Sequence, residues 1–416
     1  MFEFGRDLRR LFEKARDSQD LGWLELVGLN LVEIEARNQS IDAGRVSCPR
    51  PYEGWMRAAA LWREHARRSG SSESLQRAEQ AGRDASRAAL NEDQTIRAAV
   101  DVGHTAMLAF DLFGIPRRLD GLLTSLDGLP AARRSETQAE VEALRARLNA
   151  RKARVAYDAD KMADAANQLA EAMLGLKPDD SAIGEDLQLD RAALSLEAGL
   201  LTRNAKLLDR AGRELRELVE GALPDERPVS RARALALCGT GMAALAAIAN
   251  DAGARQQARA LFDAAADQFS PDHSPMDWAA IQLLKAERAE GSPEALEQAH
   301  KLTDKPGLII GAMIRERLYA HTISEADETG DFTAITKVEV VLRHRLARPM
   351  DETTAIDWAS DQISMARVAM SLSKRLSYPL QDLGMALYEA ADAATMSGVP
   401  WMAVRAKDLM LLAKTA

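Results

Sequence analysis

One short pattern, repeated three times, limits what this chain can fold into more than any other feature. Ala165, Leu169, Ala172 and Pro178 recur as Ala211, Leu215, Leu218 and Pro224, and again as Ala258, Phe262, Ala265 and Pro271. The internal spacing is +4, +3, +6 each time, and the segments start 46 residues (165 to 211) and 47 residues (211 to 258) apart. Steps of four and three put side chains on one helix face, and a proline six residues on marks where the helix stops. Recurrence at this distance predicts stacked helical hairpins, each burying a face it cannot bury alone. The repeated positions then hold the stack together, and function must lie in what does not repeat.

The expected fold class is all-α, an α-solenoid of stacked antiparallel helix hairpins. A chain of 416 residues is long for one compact core, but a solenoid grows along a line because each repeat touches only its neighbours. Hydrophobic content of 47% with only 5% aromatic residues suits Ala- and Leu-rich helices packed at close range. The short β-branched run at Val338–Val341 lies inside a helical pattern.

Charge narrows the function classes. The net charge is −9, yet residues 1–160 hold about 25 basic and 25 acidic groups, so the excess acid lies beyond them. That balance argues against a general nucleic-acid binder, whose footprint is a strongly basic face. Cys48 and Cys238 have no metal-type spacing and read as buried free thiols. No apolar run is expected to span a bilayer, and no signal-peptide core is recognisable, so a cytoplasmic location is expected.

Residues 2–16 form an amphipathic pattern with Phe4, Leu8, Leu11, Phe12 and Ala15 on one face. It reads as an end cap, and as the only segment suited to a membrane surface. Helices are expected at about 20–38, 52–68, 73–90 and 92–113, with Ser47–Pro51 as a break. Pro116 starts a short helix, and a charged one runs from Pro130 to about 159. Its arginines are surrounded by Glu140, Glu142, Asp158 and Asp160, which predicts a solvated face with i,i+4 pairs. First helices at about 181–200 and 228–250 precede the second and third copies of the pattern. Ala295, Ala299 and Leu302, then Ala334, Val338 and Val341, extend it. A last helix at 399–415 reads as a C-terminal cap. Two regions are expected: 1–130, an N-terminal cap with atypical repeats, and 131–416, the repeat array.

An echo at 80 residues joins Asp277-Trp278-Ala279 to Asp357-Trp358-Ala359, each followed by a glutamine, Gln282 and Gln362. Ser274 and Thr354 precede them by three, the spacing of a capping box. Trp278 and Trp358 are expected to fill gaps between hairpins.

The segment Ala252–Ala258 with Phe262, Ala265 and Pro271 resembles the second helix of a tetratricopeptide repeat. Glu328-Thr329-Gly330-Asp331-Phe332 is similar to that family's Gly-Asp-aromatic turn, and Leu383-Gly384 with Tyr388 to its first helix. The resemblance covers about 160–350. The spacing exceeds the family's usual 34 residues, which points to lengthened first helices. The family implies a superhelix that holds a partner protein or peptide in a groove lined by first helices. The polar residues expected there are Gln188, Arg191, Gln282, Lys285, Arg315, Tyr319 and Gln362, with arginine or lysine gripping an acidic group. The family's Lys/Asn carboxylate clamp is not recognisable.

Six scattered histidines form no ligand cluster, and no Walker, G-x-S-x-G or G-x-G-x-x-G loop occurs. Gly239-Thr240-Gly241 lies in an Ala-rich run and is expected to permit close helix packing. No cofactor, metal or catalytic residue is expected. A non-enzymatic interaction scaffold or adaptor is the leading expectation. The alternatives are a receptor whose N-terminal helices transmit a signal, and a self-assembling structural protein; oligomer formation stays open.

Overall fold

The computed structural model describes residues 22–177, 181–222, 226–289, 291–349, 353–376 and 382–415. The expected helix at 2–16, and Pro178 and Pro224 of the repeated pattern, lie outside them. A 3-10 turn (Gly22–Leu26) and helix α1 (Leu29–Ala43) open the described chain. Eight hairpins follow: α2–α3 (Pro51–Ser69, Ser72–Ala88), α4–α5 (Glu92–Phe113, Arg117–Asp127), α6–α7 (Ser135–Ala156, Ala159–Leu174) and α8–α9 (Ser181–Thr202, Ala205–Gly221). Next come α10–α11 (Pro228–Ala249, Ala252–Ala266), α12–α13 (Pro275–Arg288, Pro293–Thr303), α14–α15 (Ile309–Thr329, Phe332–Leu346) and α16–α17 (Ala355–Leu376, Leu383–Met396). Helix α18 (Pro400–Thr415) ends it, and no strand occurs among the described residues.

Four of the hairpin corners are built alike from local sequence. Tyr157, Arg203, Asn250 and Gly330 take left-handed backbone, with φ of 51°, 51°, 52° and 74°. The next residue, Asp158, Asn204, Asp251 or Asp331, then accepts two backbone N–H groups at the start of the second helix. A helix end reversed through a left-handed residue and restarted by an Asx cap satisfies both sets of orphan groups within four residues.

The helices form two layers. Even-numbered helices α2 to α18 each pack on the next even helix and make the inner layer; the odd helices pack between them on the outside. Ala165, Ala211 and Ala258, with Leu169, Leu215, Phe262 and Ala265, are buried between the layers, while Ala172 and Leu218 are partly covered. The Phe262 ring lies against Gly239, where a Cβ would sit 3.2 Å from three ring atoms. Gly239 thus permits the close approach. Trp278 is buried and Trp358 half-buried, both in contact with apolar clusters between hairpins.

The solenoid winds back onto itself. The N-terminal 3-10 turn meets α10, α2 meets α12, α4 meets α14, and α6 meets α18. About five hairpins therefore complete one turn, and the C-terminal ends of first-turn inner helices rest on second-turn helices. Packing runs through residue 130 in the same two-layer register, since α4 meets both α5 and α6.

One sequence expectation needs correcting. Helix α10, with 22 residues, is long and apolar enough to cross a membrane by length and composition. Here it packs against α8, α9, α11 and α12, which take up much of its apolar surface.

Candidate functional site

An ion-pair ladder joins successive inner helices. Arg63 of α2 donates to Asp101 of α4 (2.6 Å), Arg97 of α4 to Glu140 of α6 (3.0 Å), and Arg147 of α6 to Asp190 of α8 (2.8 Å). Arg233 of α10 donates to Asp277 of α12 (2.7 Å), and Arg315 of α14 to Asp357 of α16 (2.7 Å). Each pair links a residue to a partner one repeat later. Arginine suits this position because its planar fork can bind two carboxylates at once. Arg151 does so, reaching Asp111 and Asp190.

The network sets the protonation states inside the superhelix. Burial alone would raise the Asp190 carboxyl, but Arg151 and Arg147 outweigh it and hold it at about 2. Burial pushes the His104 imidazole well below its usual range, and Arg63, Arg147 and Arg151 push the same way. Its ring stays neutral.

The stacked turns are fastened by similar chemistry. Arg67 donates to Asp277 (2.9 Å), so Asp277 is shared with Arg233. Arg68, fully buried, donates to the carbonyls of Leu24 and His273, and the His273 Nε2 is bonded to the Glu25 carbonyl (2.7 Å). The Glu25 carboxylate accepts the backbone N–H groups of Val229 and Ser230 at 2.8 and 2.9 Å, capping α10 from over 200 residues away. The capping-box reading is corrected at Ser274. The Ser274 hydroxyl donates to Asp277 and accepts no helix N–H, because that carboxylate faces the arginines. At the second copy the cap is partly made: the Thr354 hydroxyl accepts the Asp357 N–H (3.4 Å), while the Asp357 carboxylate takes Arg315, the Thr354 hydroxyl and the Gly307 N–H.

The expected groove residues are scattered. Arg315 is 3% exposed and held by Asp357 and Asp361, so it faces no groove. Gln282 is also buried, so it faces no open groove either. Arg191 pairs with Glu214 (2.9 Å) and Lys285 with Asp263, both across to outer helices. Tyr319 and Gln362 are half-buried. Gln188 lines a cavity of about 120 Å³ with Glu185, Asp186, Leu218 and Ser230. Cys48 and Cys238 are free and half-buried, and burial raises the Cys238 thiol to about 11.

A second cavity, of about 290 Å³, lies at the C-terminal ends of α8 and α10. Leu200, Leu208, Ala247 and Ile248 line it with Arg203 and Arg288. Both arginines are exposed. They were missed in the sequence because they stand at helix ends, where a cation reads as complementing the macrodipole. Among the described residues no group of three or more His, Cys, Asp or Glu could hold a metal ion.

No protein-family profile matches the sequence, and no curated protein matches it. Among solved structures, a circular tandem repeat protein with a novel repeat topology and enhanced subunit contact surfaces is similar at 16% identity. The match covers 99% of this chain and 88% of that one with a TM-score of 0.21, too weak to bear on function. The class stated by the chain's own helices is a helical repeat protein, an all-α solenoid.

Proposed function

We propose that this chain is a non-enzymatic scaffold of tetratricopeptide-like hairpins that binds a partner protein or peptide. The single observation behind this is the ion-pair ladder, which commits the strongly perturbed ionisable groups to joining helices. Asp190 and His104 would otherwise be the candidates for acid–base work; one is paired with two arginines, and the other is kept neutral by burial and by the charge of the ladder's arginines. The α12–α13 hairpin supports the tetratricopeptide-like reading: its inner helix and the next start 34 residues apart (275 to 309), the family's length.

With Gln282 and Arg315 buried, binding falls to the cavities and to residues with remaining exposure: Gln188, Arg191, Lys285, Tyr319 and Gln362. The test is capture from native lysate on the immobilised chain, repeated with a Gln188→Ala, Tyr319→Ala double variant. A protein retained by the parent and lost with the variant supports the reading. Turnover of a small molecule, with no protein retained, would overturn it.

A further inference from the structure

We infer that the cavity at the ends of α8 and α10 is a docking site for the first turn of a partner helix that carries one aliphatic and one acidic side chain. This rests on the scaffold reading and names the chemistry of the partner.

The protein contains its own template for such a contact. Where α2 ends, the first turn of α12 is seated on it. Met276 enters an apolar cluster with Ala66, Leu108, Leu112 and Leu308, and the adjacent Asp277 takes Arg67 at 2.9 Å. The guest is thus an apolar residue followed by a carboxylate in a helix's first turn; the host is an apolar hollow with arginine at a helix end. The winding repeats the contact between turns, though not the same side chains, with the 3-10 turn over α10, α2 over α12, α4 over α14 and α6 over α18. Helix α8 is next in that series. No second-turn helix packs on it in this way among the described residues, and an open cavity stands at its end.

The cavity has the same two components. Leu200, Leu208, Ala247 and Ile248 supply the hollow, and Ile248 remains 48% exposed. Arg203 and Arg288 supply the charge, and neither makes an ion pair among the described residues, unlike the arginines of the ladder. An exposed aliphatic beside two uncommitted guanidiniums fits an anchor side chain flanked by a carboxylate. The dipoles agree: the C-terminal ends of α8 and α10 carry partial negative charge, and the first turn of a docking helix presents partial positive charge. A volume of about 290 Å³ admits one or two side chains and not a whole helix, and its open mouth lets the chain continue outward.

The test uses the full chain and a fluorescein-labelled peptide copying its residues 272–287, read by fluorescence anisotropy. Saturable binding is expected, weakened by about tenfold or more in the Arg203→Ala, Arg288→Ala double variant and in Ala247→Trp, which fills the hollow. Peptides carrying Met276→Ser or Asp277→Asn should lose affinity similarly. Circular dichroism of both protein variants should match the parent, since the altered residues are exposed. Absent binding, or binding indifferent to the arginines in variants that still fold, overturns the inference. So does octanoate binding as tightly with the same arginine dependence, which would assign the cavity to a small carboxylic acid. A captured lysate partner that both variants retain would leave the scaffold standing and sink this site alone.

Discussion

Arg67 and Asp277 stand 210 positions apart in the chain, yet Nη1 of one lies 2.9 Å from Oδ2 of the other. The pair joins the end of one inner helix to the start of another a full turn of the superhelix later. Arg233 reaches the same carboxylate at 2.7 Å from the neighbouring inner helix. Asp277 therefore ties together contacts along the solenoid and across its stacked turns.

Arg315 should be a stability residue. Replacing it with Ala leaves Asp357 and Asp361, 6% and 1% exposed, without the guanidinium that both share. Breaking a buried pair in this way costs about 3–5 kcal/mol. Chemical denaturation should show that loss; an unchanged midpoint would restore Arg315 to a binding role.

Phe262 is fully buried against Gly239. Phe262→Ala should destabilise by about 3–5 kcal/mol through lost burial and a cavity. Gly239→Val, which drives a side chain into the ring, should cost about 1–3 kcal/mol. Thermal melts of the two variants check both values, and a neutral Gly239→Val would show that the helices are not in close contact.

Stability should fall with acid in two stages. The folded chain keeps His104 neutral to a lower pH than the unfolded chain, whose imidazole titrates near 6.5. Below that value only the unfolded state gains the proton, so stability declines. His104→Gln should flatten this stage in denaturation curves between about pH 7.5 and 5. It should not abolish it, because burial also lowers His65, His273 and His300. Asp190 has the depressed-carboxylate sign: its contribution is complete above the ordinary value of 3.8 and lost as pH falls toward about 2.

Glu25 should govern how firmly the turns stay stacked. Glu25→Ala removes the acceptor for the N–H groups of Val229 and Ser230 and the partner of Arg227. Hydrogen exchange at those two amides should accelerate, while exchange in α14 should hold steady. Equal acceleration in both helices would indicate general unfolding instead.

Sequence by itself determined the hairpin. The Ala and Leu pattern acts within a dozen residues, so its spacing shows in the chain; the structure added the left-handed corners and the Asx caps at Asp158, Asn204 and Asp251. The lengthened inner helices were legible for the same reason. Tertiary structure decided which face was left open. Small rotations between successive hairpins add up to a turn of about five, and no local pattern carries that sum. Packing between neighbouring repeats buried Gln282 and Arg315, the stacked turns drew Asp277 and with it the Ser274 hydroxyl toward Arg67, and Arg203 and Arg288 were left exposed beside an apolar hollow. A charge looks the same in sequence whether it meets water or another helix; only the packing decides which.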